Sequence, residues 1–358
     1  LAGKTALQTV QDPQLLPEKC CVSKVAPSLL AEEFKGLGNT KDHTQLEKMM
    51  LVSLNKVIRA SSIDLNDRVG LIVSTTKGNI DALDPRNGFP ANRAYLANLG
   101  KALQQHFGFQ TEPIVVSNAC VSGILAVIVA KRYIEQGIFD HVYITSGDLV
   151  TPFILSGFYS FQALSVEACR PYCATRKGIN IGEVAASALV TKDKRYLSPE
   201  AVAILGGASR NDANHISGPS RTGEGLYRSV EAALKESHME ASDIDYISAH
   251  GTATPYNDEM EAIAFDRLGM NDVPMNSLKG YFGHTLGASG LLETLMGMQA
   301  MHRNTLVPSM GFQQLGVSRP IDVIKRMEKR PLRVFLKTAS GFGGCNAAGI
   351  FEKVGAGI

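Results

Sequence analysis

Apolar residues recur along this chain in two periods, and the alternation between them sets out the elements. From Gln45 to Ala60, Leu46, Met49, Met50, Val52, Leu54, Val57 and Ile58 fall at helical spacing, and the pattern stops at Ser61-Ser62. A short apolar run, Val69 to Ser74, predicts a strand. Breakers at Asp84-Pro85 and Gly88-Phe89-Pro90 mark Gly78 to Pro90 as a loop, and Asn92 to Phe107 reads as another helix. Ile114 to Val116 then lead into a small-residue corner, Asn118-Ala119-Cys120, followed by an apolar stretch up to Gly137. This is the pattern of a strand, a sharp turn and a buried helix. A strand over His141 to Thr145, closing at Ser146-Gly147-Asp148, makes the order strand, helix, strand and implies parallel pairing. The opening forty residues contain no convincing strand, and 151–183 reads as a long connection rich in aromatic residues, with a buried strand over Ala185 to Thr191 after it.

The second half repeats the alternation. Ala201 to Gly206, Ile244 to Ala249, Val334 to Thr338 and Ala347 to Phe351 predict strands, while Gly223 to Lys235, Glu259 to Leu268 and Leu291 to Met301 predict helices. The charged run Lys192-Asp193-Lys194-Arg195 is the internal boundary, dividing the chain into residues 1–191 and 192–358. Two alternating α/β halves suggest a duplicated layered sandwich, although no residue-level repeat is visible.

Composition narrows the function classes. A formal net charge of +2 over 358 residues lacks the basic excess that binds nucleic acid through its phosphates. The longest apolar stretches, such as Ile124 to Ala130, fall short of the roughly 20 residues that span a bilayer, and no signal peptide is seen, so a cytoplasmic protein is expected. Six cysteines in a chain of this length are not a disulfide framework, and Cys169 and Cys173, one helical turn apart, have no further ligands nearby to make a metal site.

Candidate chemistry gathers in a few short segments. Cys120 stands at or near a helix start, where the positive end of the helix dipole favours thiolate, so it is a candidate nucleophile; a small buried core residue is the alternative. His250 ends a strand in His250-Gly251-Thr252-Ala253-Thr254-Pro255, with Asp258 and Glu261 beyond, which places it in the crevice where α/β proteins bind ligands. A second histidine, His284, follows Lys279 in a glycine-rich run from Lys279 to Gly290 that leads into a helix carrying Glu293. A glycine-rich turn, Gly341 to Asn346, lies between two strands, and Arg170-Pro171 to Gly182-Glu183 forms the remaining segment.

These segments together resemble the β-ketoacyl-acyl carrier protein synthases, condensing enzymes of the thiolase fold, in their Cys-His-His elongating class. The similarity runs from about residue 45 to 353. It is carried by N-A-C-x-S-G at Asn118 to Gly123, H-G-T-x-T-x-x-x-D-x-x-E from His250 to Glu261, K-x-x-x-G-H-x-x-G-A-x-G from Lys279 to Gly290 with Glu293 beyond, and G-F-G-G-x-N at Gly341 to Asn346. Three positions depart from the family pattern. Ser340 stands where phenylalanine is frequent, Phe282 where threonine is frequent, and Cys173 where aspartate follows the Arg-Pro-aromatic run. These touch the pocket and its gate, and bear on chain-length preference.

The resemblance implies a five-layered α-β-α-β-α sandwich of two similar halves, with an opening strand expected ahead of Leu1. It implies that Cys120 takes the acyl chain from an acyl carrier protein, and that backbone N–H groups of Cys120 and Phe342 form the oxyanion hole. His250 and His284 would stabilise the enolate left when a malonyl thioester loses carbon dioxide, giving a 3-oxoacyl-acyl carrier protein. The pair Lys279 and Glu293 would orient His284, and Thr252 and Thr254 would bind the phosphopantetheine arm. No cofactor beyond that arm, no metal, and a homodimer or a heterodimer with a related subunit are expected. The competing readings are a non-catalytic chain-length partner, which typically lacks the cysteine, and a thiolase, for which Cys345 would have to serve as a second catalytic cysteine.

Overall fold

The computed structural model of the protein describes residues 3–212 and 218–355. Its strands, in chain order, are β1 (Gln8–Val10), β2 (Cys20–Ser23), β3 (Val69–Ser74), β4 (Ile114–Val116), β5 (His141–Asp148), β6 (Ile181–Gly182) and β7 (Val184–Thr191). They continue as β8 (Val202–Asn211), β9 (Tyr246–Ser248), β10 (Met275–Asn276), β11 (Thr305–Leu306), β12 (Glu328–Lys329), β13 (Val334–Gly341) and β14 (Cys345–Lys353). The helices are α1 (Pro27–Glu33), α2 (Gln45–Ser61), α3 (Leu96–Phe107), α4 (Ser122–Glu135) and α5 (Pro152–Ser160). After them come α6 (Glu224–Ser237), α7 (Pro255–Arg267), α8 (Lys279–Phe282) and α9 (Ser289–His302).

Two mixed sheets share one design. In the first, ordered β4-β3-β5-β7, β3 runs parallel to both β4 and β5 while β7 is antiparallel to β5. In the second, ordered β10-β9-β13-β14-β8, β9 runs parallel to β10 and β13, and β14 is antiparallel to β13. The first four strands of each order therefore correspond one to one. β8, antiparallel to β14, has no counterpart beside β7 among the described residues.

Burial divides each sheet between two faces and so stacks the layers. Val69, Leu71 and Val73 of β3 pack with Leu46, Met50 and Leu54 of α2 and Leu99 and Leu103 of α3, while Ile72 points the other way into the core around α4. In the second sheet Ile247, Leu336 and Ile350 pack under Val230 of α6 and Phe265 of α7, and Phe335 and Phe351 turn inward. The middle layer is α4 with α9, apolar nearly all round because both sheets bury it. The result is the five-layered α-β-α-β-α sandwich.

At the middle layer the two helices meet through backbone. A Cβ built on Gly290 would stand 2.4 Å from the Ile124 nitrogen, and one on Gly123 2.6 Å from the Leu291 nitrogen. No side chain fits there, so the start of α4 is pressed against the start of α9. That contact brings the segment before α4, with Cys120, to the segment before α9, with His284.

Local order departs from the sequence expectations in four places. The opening forty residues do hold strands: β1 and β2 pair antiparallel, and β6 joins β2 to make a three-stranded sheet. They are three and four residues long, too short for a periodic signal. Residues 151–183 are not a bare connection, since Thr151 caps α5 by accepting the Ile154 N–H at 3.3 Å and Pro152 opens its first turn. β4 and β5 are parallel as expected but not neighbours, because β3 lies between them. α7 begins at Pro255 rather than Glu259, again with proline in the first turn.

Candidate active site

The nucleophile corner is fixed by Ser122. Its hydroxyl accepts the Asn118 N–H at 2.8 Å and donates to the Ala119 carbonyl at 2.7 Å, closing the turn between β4 and α4. Ala119 takes a left-handed φ of 42°, which costs a non-glycine residue energy and turns the chain sharply enough to leave Cys120 facing inward. The side chain is 6% exposed. Burial pushes the Cys120 thiol up to about 12, reinforced by Cys345 and only partly opposed by Lys279 and Lys77. The expected dipole-stabilised thiolate is thus not what the structure shows. Cys120 lies two residues before α4, its sulfur is desolvated, and the resting group is a thiol that needs a base.

His250 is presented by the end of β9, on a turn tied down by two buried carboxylates. Glu261 accepts the N–H groups of His250 and Gly251 at 2.8 and 2.7 Å, and Asp258 accepts those of Thr252 and Ala253 at 3.0 and 3.2 Å. The acidic residues of that motif therefore shape the loop. Behind the ring, the Lys279 ammonium donates to the His250 carbonyl at 2.5 Å and to Glu293 Oε1 at 2.8 Å, and lies 3.4 Å from His250 Nδ1. An ammonium can only donate, so Nδ1 is the acceptor and the neutral ring carries its proton on Nε2.

His284 is held differently. Its N–H donates to the Asn180 carbonyl at 2.7 Å and its own carbonyl accepts from Gly182 at 3.0 Å, which moors it to β6. Nδ1 faces the Ser289 hydroxyl at 3.0 Å, and that hydroxyl is also 3.3 Å from Glu293 Oε1. Nε2 is buried and has no hydrogen-bond partner among the described residues. The expected pair of Lys279 and Glu293 is present and meets His284 through Ser289, while the same lysine also bonds the His250 carbonyl and faces its ring.

The three groups converge. The Cys120 sulfur and one nitrogen of each imidazole lie within 4.8 Å of one another, and the rings meet edge to face with centroids 5.2 Å apart. Burial and then the Lys279 charge hold both imidazoles well below the usual histidine range, so both are neutral at physiological pH. Three such atoms are near enough to share a metal ion, but the lysine ammonium behind them makes the site a poor one for a cation.

A cavity of about 470 Å³ opens on Cys120, His250 and His284 and is walled by Thr252, Thr254 and Phe342. The two threonine hydroxyls bond each other at 2.7 Å. The loop carrying Phe342 abuts the nucleophile corner: a Cβ on Gly341 would stand 3.0 Å from the Cys120 nitrogen. The Phe342 ring packs on Phe158 and Phe161 at centroid distances of 5.4 and 5.1 Å, and Ser340 lines the same cavity. Cys345 donates to the Phe342 carbonyl at 3.3 Å, and burial pushes its thiol up to about 11.

Sequence reasoning missed two members of the cluster. Ser289 sat unremarked inside a quoted motif. Lys337, fully buried on β13, sets its ammonium 2.6 Å from Glu293 Oε2 and donates to the carbonyls of Ser248, Ala249 and Thr338 at 3.1, 3.4 and 2.7 Å. Its signal was available: a lysine inside the apolar run Val334 to Ala339 demands a buried partner.

Comparisons with known proteins point to one family. Residues 201–313 match the model of the β-ketoacyl synthase C-terminal domain. The chain is similar to the 3-oxoacyl-[acyl-carrier-protein] synthase 2 of Rhizobium meliloti, 34% identical over 66% of this chain and 60% of that protein. It is 25% identical to the ketoacyl synthase alpha subunit of the tetracenomycin polyketide synthase of Streptomyces glaucescens, over 98% of this chain and 91% of that one. Among solved structures, a ketosynthase in complex with its chain length factor from Xenorhabdus doucetiae superposes with a TM-score of 0.84 at 25% identity, covering 97% of this chain and 90% of that one. With the layered fold and the convergent cysteine and histidines, these matches support a β-ketoacyl synthase.

Proposed function

We propose that this protein extends an acyl chain by decarboxylative Claisen condensation with a malonyl thioester on acyl carrier protein, giving a 3-oxoacyl-acyl carrier protein. The observation that carries the reading is the convergence of one buried thiol and two neutral imidazoles on one cavity.

Each group has a task its surroundings suit. Cys120 loses its proton to His284 Nε2 as sulfur attacks the acyl thioester, and the N–H groups of Cys120 and Phe342 receive the oxyanion. The carrier thiolate leaves with that proton, and the acyl group stays on sulfur. When malonyl carrier protein enters, its carboxylate departs as carbon dioxide and the electron pair it leaves forms an enolate. His250 Nε2–H donates to the enolate oxygen, and His284 joins it by carrying its own proton on Nε2. The Ser289 hydroxyl can serve both states of His284, accepting from Nδ1–H while it donates to Glu293, or donating to Nδ1. Attack of the enolate carbon on the acyl-cysteine forms the new carbon–carbon bond and frees the sulfur.

Thr252 and Thr254 on the cavity wall suit the amides of a phosphopantetheine arm, which is the only prosthetic group this chemistry requires. Acyl carrier protein is then the partner that delivers both substrates. β4, the strand entering Cys120, ends the first sheet half-buried and, among the described residues, with one edge open, and pairing it across a two-fold axis would close that edge. The partner is a second copy or a related subunit. Six cysteines, all buried and unpaired, suit the reducing cytoplasm.

One experiment tests the reading. Purified protein given acyl and malonyl carrier proteins should yield 3-oxoacyl carrier protein, carbon dioxide and, by intact mass, an acyl adduct on Cys120. A folded protein that forms no adduct and releases no carbon dioxide overturns it. Sedimentation at micromolar concentration should show a dimer, and a monomer would remove the role given to β4.

A further inference from the structure

The mechanism above makes no use of Lys337. It is fully buried, on β13, four residues before Gly341 and the Phe342 loop. A buried ammonium is costly unless it is paired and hydrogen-bonded, and here every donor has a partner. Those partners belong to the active site. Lys337 takes Oε2 of the carboxylate whose Oε1 Lys279 takes, so Glu293 is gripped from both sides at 2.6 and 2.8 Å. Between them the two ammoniums also bind three consecutive carbonyls, Ser248 and Ala249 from Lys337 and His250 from Lys279, where β9 runs into the His250 turn.

We infer that Lys337 is a positioning residue of the condensation step: with Lys279 it fixes Glu293 and the chain entering His250, and through them both histidines over Cys120. The inference rests on the condensation reading. Lys337 reaches His250 through its strand end, and His284 through Glu293 and Ser289, without touching either ring.

Charge gives the same residue a second effect. The ionisable groups around the two imidazoles are Lys279 on α8, Lys337 on β13, Glu293 on α9, Asp258 and Glu261 on α7, Asp148 on β5, and the Cys120 thiol. In the Lys279–Glu293–Lys337 group two positive charges face one negative, and each lysine disfavours imidazolium. Removing Lys337 neutralises that group. Imidazolium then forms at higher pH, so the acid limb of the activity profile moves up in pH.

The test is Lys337→Met on the full chain, with malonyl carrier protein as the probe. Decarboxylation should fall about 10- to 100-fold in kcat with KM little changed, the range over which loss of a supporting contact lowers a site's activity. Its acid limb should shift upward, while acylation of Cys120 followed by mass changes less than threefold. In combination with Glu293→Gln the two losses should be less than multiplicative, since one of the two routes from Lys337 runs through that carboxylate and the other through the Ser248 and Ala249 carbonyls. Decarboxylation within twofold of wild type and an unmoved acid limb overturn the inference while leaving the condensation reading intact; a wild-type protein that does not decarboxylate fails the reading itself. If Lys337→Met does not fold, Lys337→Gln keeps a donor without the charge and must show the same shift of the acid limb. Failure of both variants to fold would make Lys337 a folding residue and overturn the inference as well.

Discussion

The Cys120 corner and the histidine cluster face one cavity, yet they are built on opposite principles. Around Cys120 the chain supplies a strained backbone turn, a serine that closes it and desolvation. Around His250 and His284 it supplies two lysines, three buried carboxylates and a serine, with nearly every polar atom paired. The difference teaches how the site divides its work. A buried thiol at about 12 is unreactive until a base comes within reach, so the sulfur is guarded. The charged cluster fixes two neutral imidazoles in place, and among the described residues His284 Nε2 has no hydrogen-bond partner, so it can receive the proton.

The comparison breaks most completely at the sulfur. Cys120→Ala should lower condensation by about 10⁴-fold or more, as loss of a nucleophile does elsewhere, with no adduct by intact mass. Cys120→Gln, whose amide can occupy the oxyanion hole, should still release carbon dioxide from malonyl carrier protein. A condensing alanine variant would reassign the nucleophile.

On the charged side, Glu293→Ala leaves two buried ammoniums against each other. A broken buried pair costs about 3 to 5 kcal/mol, which denaturant unfolding would read as a lower midpoint at similar m. A loss under 1 kcal/mol would mean that water reaches the lysines.

The two histidines sharpen the contrast between half-reactions. Replacing His250 by alanine should cost decarboxylation about 10² to 10³-fold, or roughly 3 to 4 kcal/mol, and Cys120 acylation far less. His284→Ala should depress both steps, because this residue also takes the thiol proton. Equal losses for His250→Ala in the two steps would return that residue to the scaffold.

The joint between the two regions is the glycine contact of α4 and α9. Gly290→Ala forces its Cβ against the Ile124 backbone and should destabilise the fold by about 1 to 3 kcal/mol, measured by thermal unfolding. The pH effect of the guarded thiol is confined to alkaline solution. Cys120 is neutral in the folded chain up to about 12, whereas an exposed thiol titrates near 9.0. The stability it contributes is whole below pH 9.0 and is lost as pH rises toward 12, so Cys120→Ser should flatten the alkaline fall in Tm.

Much of this was legible in the sequence because it depends on local order. The apolar periodicity of Gln45 to Ala60 and the run Val69 to Ser74 reappear as α2 and β3, since their own residues decide helix or strand. The chemistry-bearing side chains were readable too, because a cysteine beside a glycine corner and histidines after strand ends are unusual enough to stand out together. What the sequence could not carry were relations between distant positions. That β3 separates β4 from β5 is a matter of sheet order, and parallel strands give no local sign of their neighbours. That Lys279 serves His250 while Ser289 serves His284 depends on where α8 and α9 deliver their side chains. The Cys120 thiol is governed by burial from all sides, which the helix start alone could not reveal. The sequence by itself determined which groups this protein brings to its chemistry; the tertiary structure decided their partners and charge states, because both depend on distances and desolvation created only when the two halves close on α4 and α9.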